Sequence, residues 1–333
     1  MMKYSFLIVL AGLLSLSSCS EKAADCLEAP VVPISVDVEI ERLEDQLFAA
    51  ESAGNVLDLI NAHPIMKEEF LGAGQYPSDT ILANELFKII KNPYTDTLYM
   101  DAKNNFGNMQ DLKEEFDQAF SYIKHYYPSF KAPKIQTMVT GFGSSEMYVA
   151  EEQIIIGLDF YLGPAAKYRP QGVPAYILKR YDKPYIVPAV LLLYADRFLK
   201  EDPADQTMVA DMIYYGKKYL FTKNMMPCTP DSLIVWYDGS ELANVEENKN
   251  LLWYHFLENE LLYETSHILK QKYLDERPNI YEIGNKCPGR IGAWLGWDII
   301  REYQNQNPSV SLTQLMANPD AKEIFNEAKY NPF

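Results

Sequence analysis

Two apolar helical patterns in this chain carry glycines in places where a helix loses stability by having them. In the stretch around DMIYYGKKYL, Val209, Ile213, Gly216 and Leu220 fall at i, i+4, i+7 and i+11 and share one face. Met208, Met212, Tyr215 and Tyr219 make a second apolar stripe beside it. In PGRIGAWLGWDIIREY, Gly289, Gly292 and Gly296 gather on one side, while Ile291, Leu295, Ile299 and Tyr303 form the packing stripe. An interior helical glycine costs about 1 kcal/mol relative to alanine. Small residues grouped on one side of a helix let another backbone approach closely, so these segments point to a tightly packed helical fold.

The rest of the pattern agrees. Apolar residues recur at helical spacing over 40–50, 56–70 (broken or kinked at Pro64), 81–91 and 112–127. A short β region follows over 135–157, with IQTMV, EMYV and QIIIG as strands and GFGSS turning between the first two. Helical spacing resumes over 185–199, 206–221, 249–264, 291–303 and 321–328. The expectation is a mostly α, α+β chain with a small antiparallel sheet: residues 34–333 as one domain, helical to about 130, a sheet over 134–157, and a helical C-terminal part.

The first eighteen residues read as an export signal. Lys3 supplies the positive start, residues 6–16 an apolar run too short to span a bilayer comfortably, and LSSC ends it. Leu-Ser-Ser-Cys matches a bacterial lipobox, which makes Cys19 the lipidation site and residues 19–33 a tether holding the protein on a membrane through acyl chains. No aspartate follows Cys19 and no strongly acidic run is present. The expected location is therefore the cell envelope, on the outer membrane facing the periplasm. Of the 30 basic side chains Lys3 lies in the leader, leaving 29 against 46 acidic ones, a formal charge of −17. That balance argues against nucleic acid and against electrostatic attachment to anionic lipid. Cys26, Cys228 and Cys287 remain beyond Cys19. Cys228 and Cys287 can pair in an oxidising envelope, though spacing does not select them, and an odd count gives no disulfide framework.

Signals for catalysis are weak. None of the four histidines opens an H-E-x-x-H motif, and GFGSS lacks the strand-turn-helix setting of a serine elbow. The best metal or acid–base candidates are Glu260, Glu264 and His267, which share a face with Trp253 and Leu257 if 249–267 is one helix; a di-iron pattern would need a second Glu-x-x-His, which is absent. Arg290, Trp294, Trp297 and Arg301 occupy a further face of the 288–303 segment, where guanidiniums can stack on indoles. Tryptophan and arginine are enriched at binding hot spots; the alternative is that the indoles are core and the arginines reach out to water.

LGPAAKY, MIYYGKKYL, the W-x-x-x-x-E-N-E pattern from Trp253, PGRIGAWLGWDIIREY and the terminal AKYNPF together resemble the gliding-motility lipoprotein B family, GldB-like, over essentially the whole mature chain. The resemblance implies an envelope lipoprotein associated with gliding motility and type IX secretion. The order of helices is also distantly similar to gluzincin-type zinc peptidases. In those, a first helix carries H-E-x-x-H and a second carries a ligand glutamate before a glycine that packs the two helices together. Here the first helix, YIVPAVLLLYADRF, has no histidine, and Tyr215 stands where the glutamate would be. The resemblance thus implies a degenerate peptidase whose Gly216 is retained for packing, and fold likeness alone licenses no activity.

The resulting expectation is a non-catalytic scaffold lipoprotein without cofactor or metal, whose cleft, lined by Tyr215, Lys217, Arg290, Trp294, Trp297 and Arg301, holds an envelope protein. The alternatives are a metal-dependent hydrolase using Glu260, Glu264 and His267, and a lipoprotein binding a small envelope ligand.

Overall fold

The computed structural model describes Cys26 and residues 32–333. The leader and Cys19 lie outside the described residues. The chain is mostly helical around one four-stranded sheet: β1 (Ile40–Arg42), β2 (Lys134–Met138), β3 (Met147–Val149) and β4 (Gln153–Gly157), in the order β1-β2-β4-β3. This confirms the mostly α, α+β class, but the sheet is mixed where an antiparallel one was expected. β2 runs parallel to β1 and to β4, and only β3 and β4 are antiparallel. The cause is topological: β3 turns back from the sheet, and β4 returns to insert between β2 and β3.

Parallel strands are stable when both faces are covered, and both are. Ile135, Ile154 and Ile156 face the larger core, while Met138 and Ile155 face a smaller one. The smaller core is closed by α1 (Leu43–Phe48), α2 (Ala53–Ala62) and α3 (Asp79–Ile90). The larger core takes α4 (Pro93–Phe106), α5 (Gln110–Tyr126) and the C-terminal helices. Residues 40–42, expected to begin a helix, pair instead with 135–137 as the edge strand β1. Helix α2 ends just before Pro64, as the sequence requires.

After the sheet come α6 (Ala175–Leu178), α7 (Ile186–Tyr194), α8 (Met208–Met225), α9 (Asp231–Val235), α10 (Gly239–Glu247), α11 (Lys249–Glu258), α12 (His267–Leu274), α13 (Ile291–Gln306), α14 (Leu312–Ala317) and α15 (Ala321–Ala328). Thr207 caps α8 by accepting the Ala210 N–H. The glycines explain how α8 packs. A Cβ on Gly216 would stand 2.4 Å from the Gly296 carbonyl oxygen, and one on Gly296 would stand 1.8 Å from that of Met212. Helices α8 and α13 therefore touch backbone to backbone. Gly216 does pack closely, but against α13 rather than against α7, as the peptidase likeness implied. Gly289 and Gly292 meet other neighbours, the Arg277 backbone and residues Tyr273 and Leu274.

The cysteine pairing, which spacing left open, is set by the fold. Cys26 is bonded to Cys228, and Cys287 is a free, buried thiol. The bridge fastens the start of the chain to the turn after α8, 202 residues away in sequence.

Gly296→Ala is expected to lower unfolding free energy by at least about 2 kcal/mol, because backbone and not a pliable side chain blocks the new methyl. Gly74→Ala, with open space around it, should stay within about 0.5 kcal/mol; urea unfolding of both variants checks the contrast. Cys228→Ser should cost about 2–5 kcal/mol. Thiol titration of the unfolded, unreduced chain lacking residues 1–22 should return one reactive group, Cys287.

Candidate functional site

A cavity of about 560 Å³ opens between β3, α7, α8 and the turns at 274–276 and 290. Its apolar wall comes from Met147, Ala189, Leu192, Leu193 and Leu274. Leu193 is 48% exposed, although α7 is otherwise deeply buried. The polar wall holds Tyr215, Lys218, Tyr219, Trp236, Glu276 and Arg290.

Two residues of that wall adopt the left-handed conformation. Trp236 ends α9 at φ 63° and Arg290 precedes α13 at φ 60°. Such backbone is uncommon outside glycine and costs on the order of 1–3 kcal/mol where it occurs. Here it brings the two side chains together: the Arg290 guanidinium carbon lies 4.4 Å from the Trp236 ring centre, and that of Arg180 lies 4.1 Å from it. Both guanidiniums also reach Glu276 Oε1, Arg180 at 2.6 Å and Arg290 at 3.2 Å. Arg290 Nη2 donates to Tyr219 Oη at 2.6 Å. Arg290 is only 9% exposed. Burial works against its charge, yet Tyr219 and Glu276 beside it hold its pKa above the usual arginine value. Burial pushes the Tyr219 hydroxyl up to about 12, so Tyr219 stays protonated at neutral pH. Trp236 Nε1 is buried without a hydrogen-bond partner among the described residues.

The residues singled out in the sequence are dispersed. Tyr215 and Arg290 line the cavity. Trp294 and Trp297 are each 1% exposed and belong to the core, Trp297 lying 5.5 Å from the Tyr219 ring. Arg301 stacks on Trp297 at 3.8 Å and pairs with Asp231, fastening α13 to the start of α9. Lys217 is 2% exposed and turned away from the cavity, where it donates to the carbonyls of Lys200 and Asn318. Burial pulls its ammonium down to about 8. These four residues pack the fold and do not line the cleft, contrary to the expectation.

The acidic helix face also dissolves. Helix α11 stops at Glu258, Glu260 takes φ 53°, and a single turn separates it from α12. Glu264 accepts the N–H groups of Thr265 and Ser266 ahead of α12, and His267 begins that helix, exposed. Among the described residues no three His, Cys, Asp or Glu side chains come together as a metal would require. Trp236, Glu276 and Arg180 were missed in the sequence because three separate turns deliver them, and no periodicity marks a turn.

The loop that leads to Glu146 and β3 hangs on Asp159. This fully enclosed carboxyl group accepts the N–H groups of Thr140 at 3.1 Å and Phe142 at 2.8 Å through Oδ2, while Oδ1 is buried without a partner among the described residues. Burial outweighs these bonds and pushes Asp159 up to about 6 from 3.8. The folded state thus holds a proton at pH values where the unfolded chain has released it. The stabilisation from this group is complete below about pH 3.8 and is lost as pH rises through about 6, a change of about 3 kcal/mol. Wild-type stability relative to Asp159→Asn is therefore expected to fall between pH 4 and pH 7. Parallel stability curves for the two proteins would contradict this.

Among the described residues no helix is long and apolar enough to cross a membrane. No curated protein and no solved structure matches the chain. A family model described as gliding motility protein GldB matches residues 25–332. The chain belongs to that family of gliding-motility lipoproteins.

Proposed function

We propose that this chain is a non-catalytic, lipid-tethered interaction component of the envelope motility apparatus that engages a partner protein through the cavity beside β3. It works alongside type IX secretion, from the periplasmic face of the outer membrane, with its lipid on Cys19. The observation that carries this reading is the chemistry of the cavity wall. Among the described residues no histidine, cysteine, serine or threonine lines it, so its wall holds no serine- or cysteine-type nucleophile with a histidine base. Its cations are committed to neighbours: Arg290 to Glu276, and Lys218 to Asp196 at 2.8 Å. What it offers is tryptophan, tyrosine and arginine against an apolar floor, the residue types that anchor protein interfaces.

Exposed Leu193 is the position to alter, since a change there leaves the packing of Arg290 intact. Full-length lipoprotein carrying Leu193→Glu, expressed in a gliding bacterium that lacks its own copy, should recover its envelope partners at least ten-fold less well than wild type. The fold should be unchanged by circular dichroism. Undiminished recovery would remove the cavity from partner binding. Near-stoichiometric zinc or iron in the purified chain would favour the hydrolase instead.

A further inference from the structure

β3 is an edge strand, and Glu146 and Met147 border the cavity. Its bonds to β4 run through alternate residues. The Gly157 N–H donates to the Glu146 carbonyl, Tyr148 stands opposite Ile155, and the Ala150 N–H donates to the Gln153 carbonyl. In an antiparallel ladder the residues between, here Met147 and Val149, turn their N–H and C=O groups outward. Among the described residues β3 pairs with β4 alone, and no turn or loop backbone group bonds these four. An open edge of this kind is a template for another extended chain.

The surroundings select which chain. Leu192, exposed Leu193 and Leu274 give apolar seats next to the strand. Glu146 and Asp275 lie on the cavity lining, and neither has a cationic partner among the described residues, whereas the lining cations Lys218 and Arg290 are already paired. A formal charge of −16 for the whole chain adds long-range attraction for a basic partner. We propose that β3 and the cavity beside it receive an extended, basic segment of a partner protein as an added strand, its alternate apolar side chains seated over Leu192 and Leu193. The proposal rests on the cavity being the partner site and specifies how the partner is held.

The test uses the blocked peptide acetyl-Lys-Val-Lys-Val-Lys-Val-amide, its glutamate counterpart, and the lysine peptide N-methylated at alternate residues, titrated calorimetrically into the chain lacking residues 1–22. The lysine peptide should bind at least ten-fold more tightly than the glutamate peptide, and N-methylation should abolish binding. Met147→Pro deletes one outward donor while sparing the bonds to β4, and should weaken the lysine peptide at least ten-fold. If that variant proves unstable on thermal unfolding, the N-methylated peptide decides alone. The double change Glu146→Lys with Asp275→Lys should reverse the charge preference. Absence of binding by the lysine peptide would overturn the proposal, as would equal binding of its N-methylated form. Either result, with Leu193→Glu still losing its envelope partners, would sink strand addition and leave the cavity's partner role standing.

Discussion

The contact between Gly216 and Gly296 sets the position of much that surrounds it. Helices usually keep 8–10 Å between their axes because side chains intervene. Here α8 and α13 have none at the crossing, and the Gly296 backbone lies where any Cβ on Gly216 would have to stand. That closeness buries Trp294 and Trp297 completely and lays Trp297 against Tyr219 of α8. It also brings the start of α13 to α8, so that Arg290 meets the Tyr219 hydroxyl. The charged wall of the cavity is thus a consequence of two missing side chains roughly two helical turns from Arg290.

Helical periodicity made the long helices legible: α5, α7, α8 and α13 all lie where the apolar stripes put them. The direction of the strands was not read, although Ile154, Ile155 and Ile156 in succession carried the signal. Such a run is apolar on both faces, as parallel strands covered on both sides require. Helix α4 was missed because its apolar stripe is weak, yet Asn92 capping Tyr94, Pro93 in the first turn and Gly107 at the end mark it by chemistry. The opposite error occurred at 249–267, where spacing continued through a break. Glu260 in the left-handed conformation ends the pattern, and nothing in a periodicity reports a single residue's φ. The candidate site followed the same rule. Its helix-borne members, Tyr215 and Tyr219, lay on a stripe already visible, whereas Trp236, Glu276 and Arg180 come from turns.

Four buried lysines, two of them in the GKK stretch, show how an acidic protein disposes of its few cations. Lys217, Lys218, Lys223 and Lys270 are all buried, and each is spent on a tie between elements. Lys217 holds the Asn318 carbonyl, Lys218 holds Asp196, Lys223 holds the Thr229 carbonyl and Asp231, and Lys270 holds the Gln206 carbonyl and Asp211. An ammonium taken out of water needs several such acceptors, and turns and helix ends supply them. Three of the four ties neutralise a carboxylate as they form, and only Lys217 is held by carbonyls alone.

The Cys26–Cys228 bridge has a geometric meaning for a protein held by lipid. Thirteen peptide steps separate Cys19 from Val32, a reach of at most about 47 Å. Through the bridge the path to the folded body is the seven steps from Cys19 to Cys26, at most about 25 Å. Under the proposed acylation of Cys19, the corner after α8 would be the hinge of a short leash, and the folded body would be confined to a thin layer above the bilayer. Confinement of that kind raises the effective concentration of any other component anchored in the same membrane. A reductant reaching this one bridge would lengthen the leash and dilute those encounters without touching the cavity.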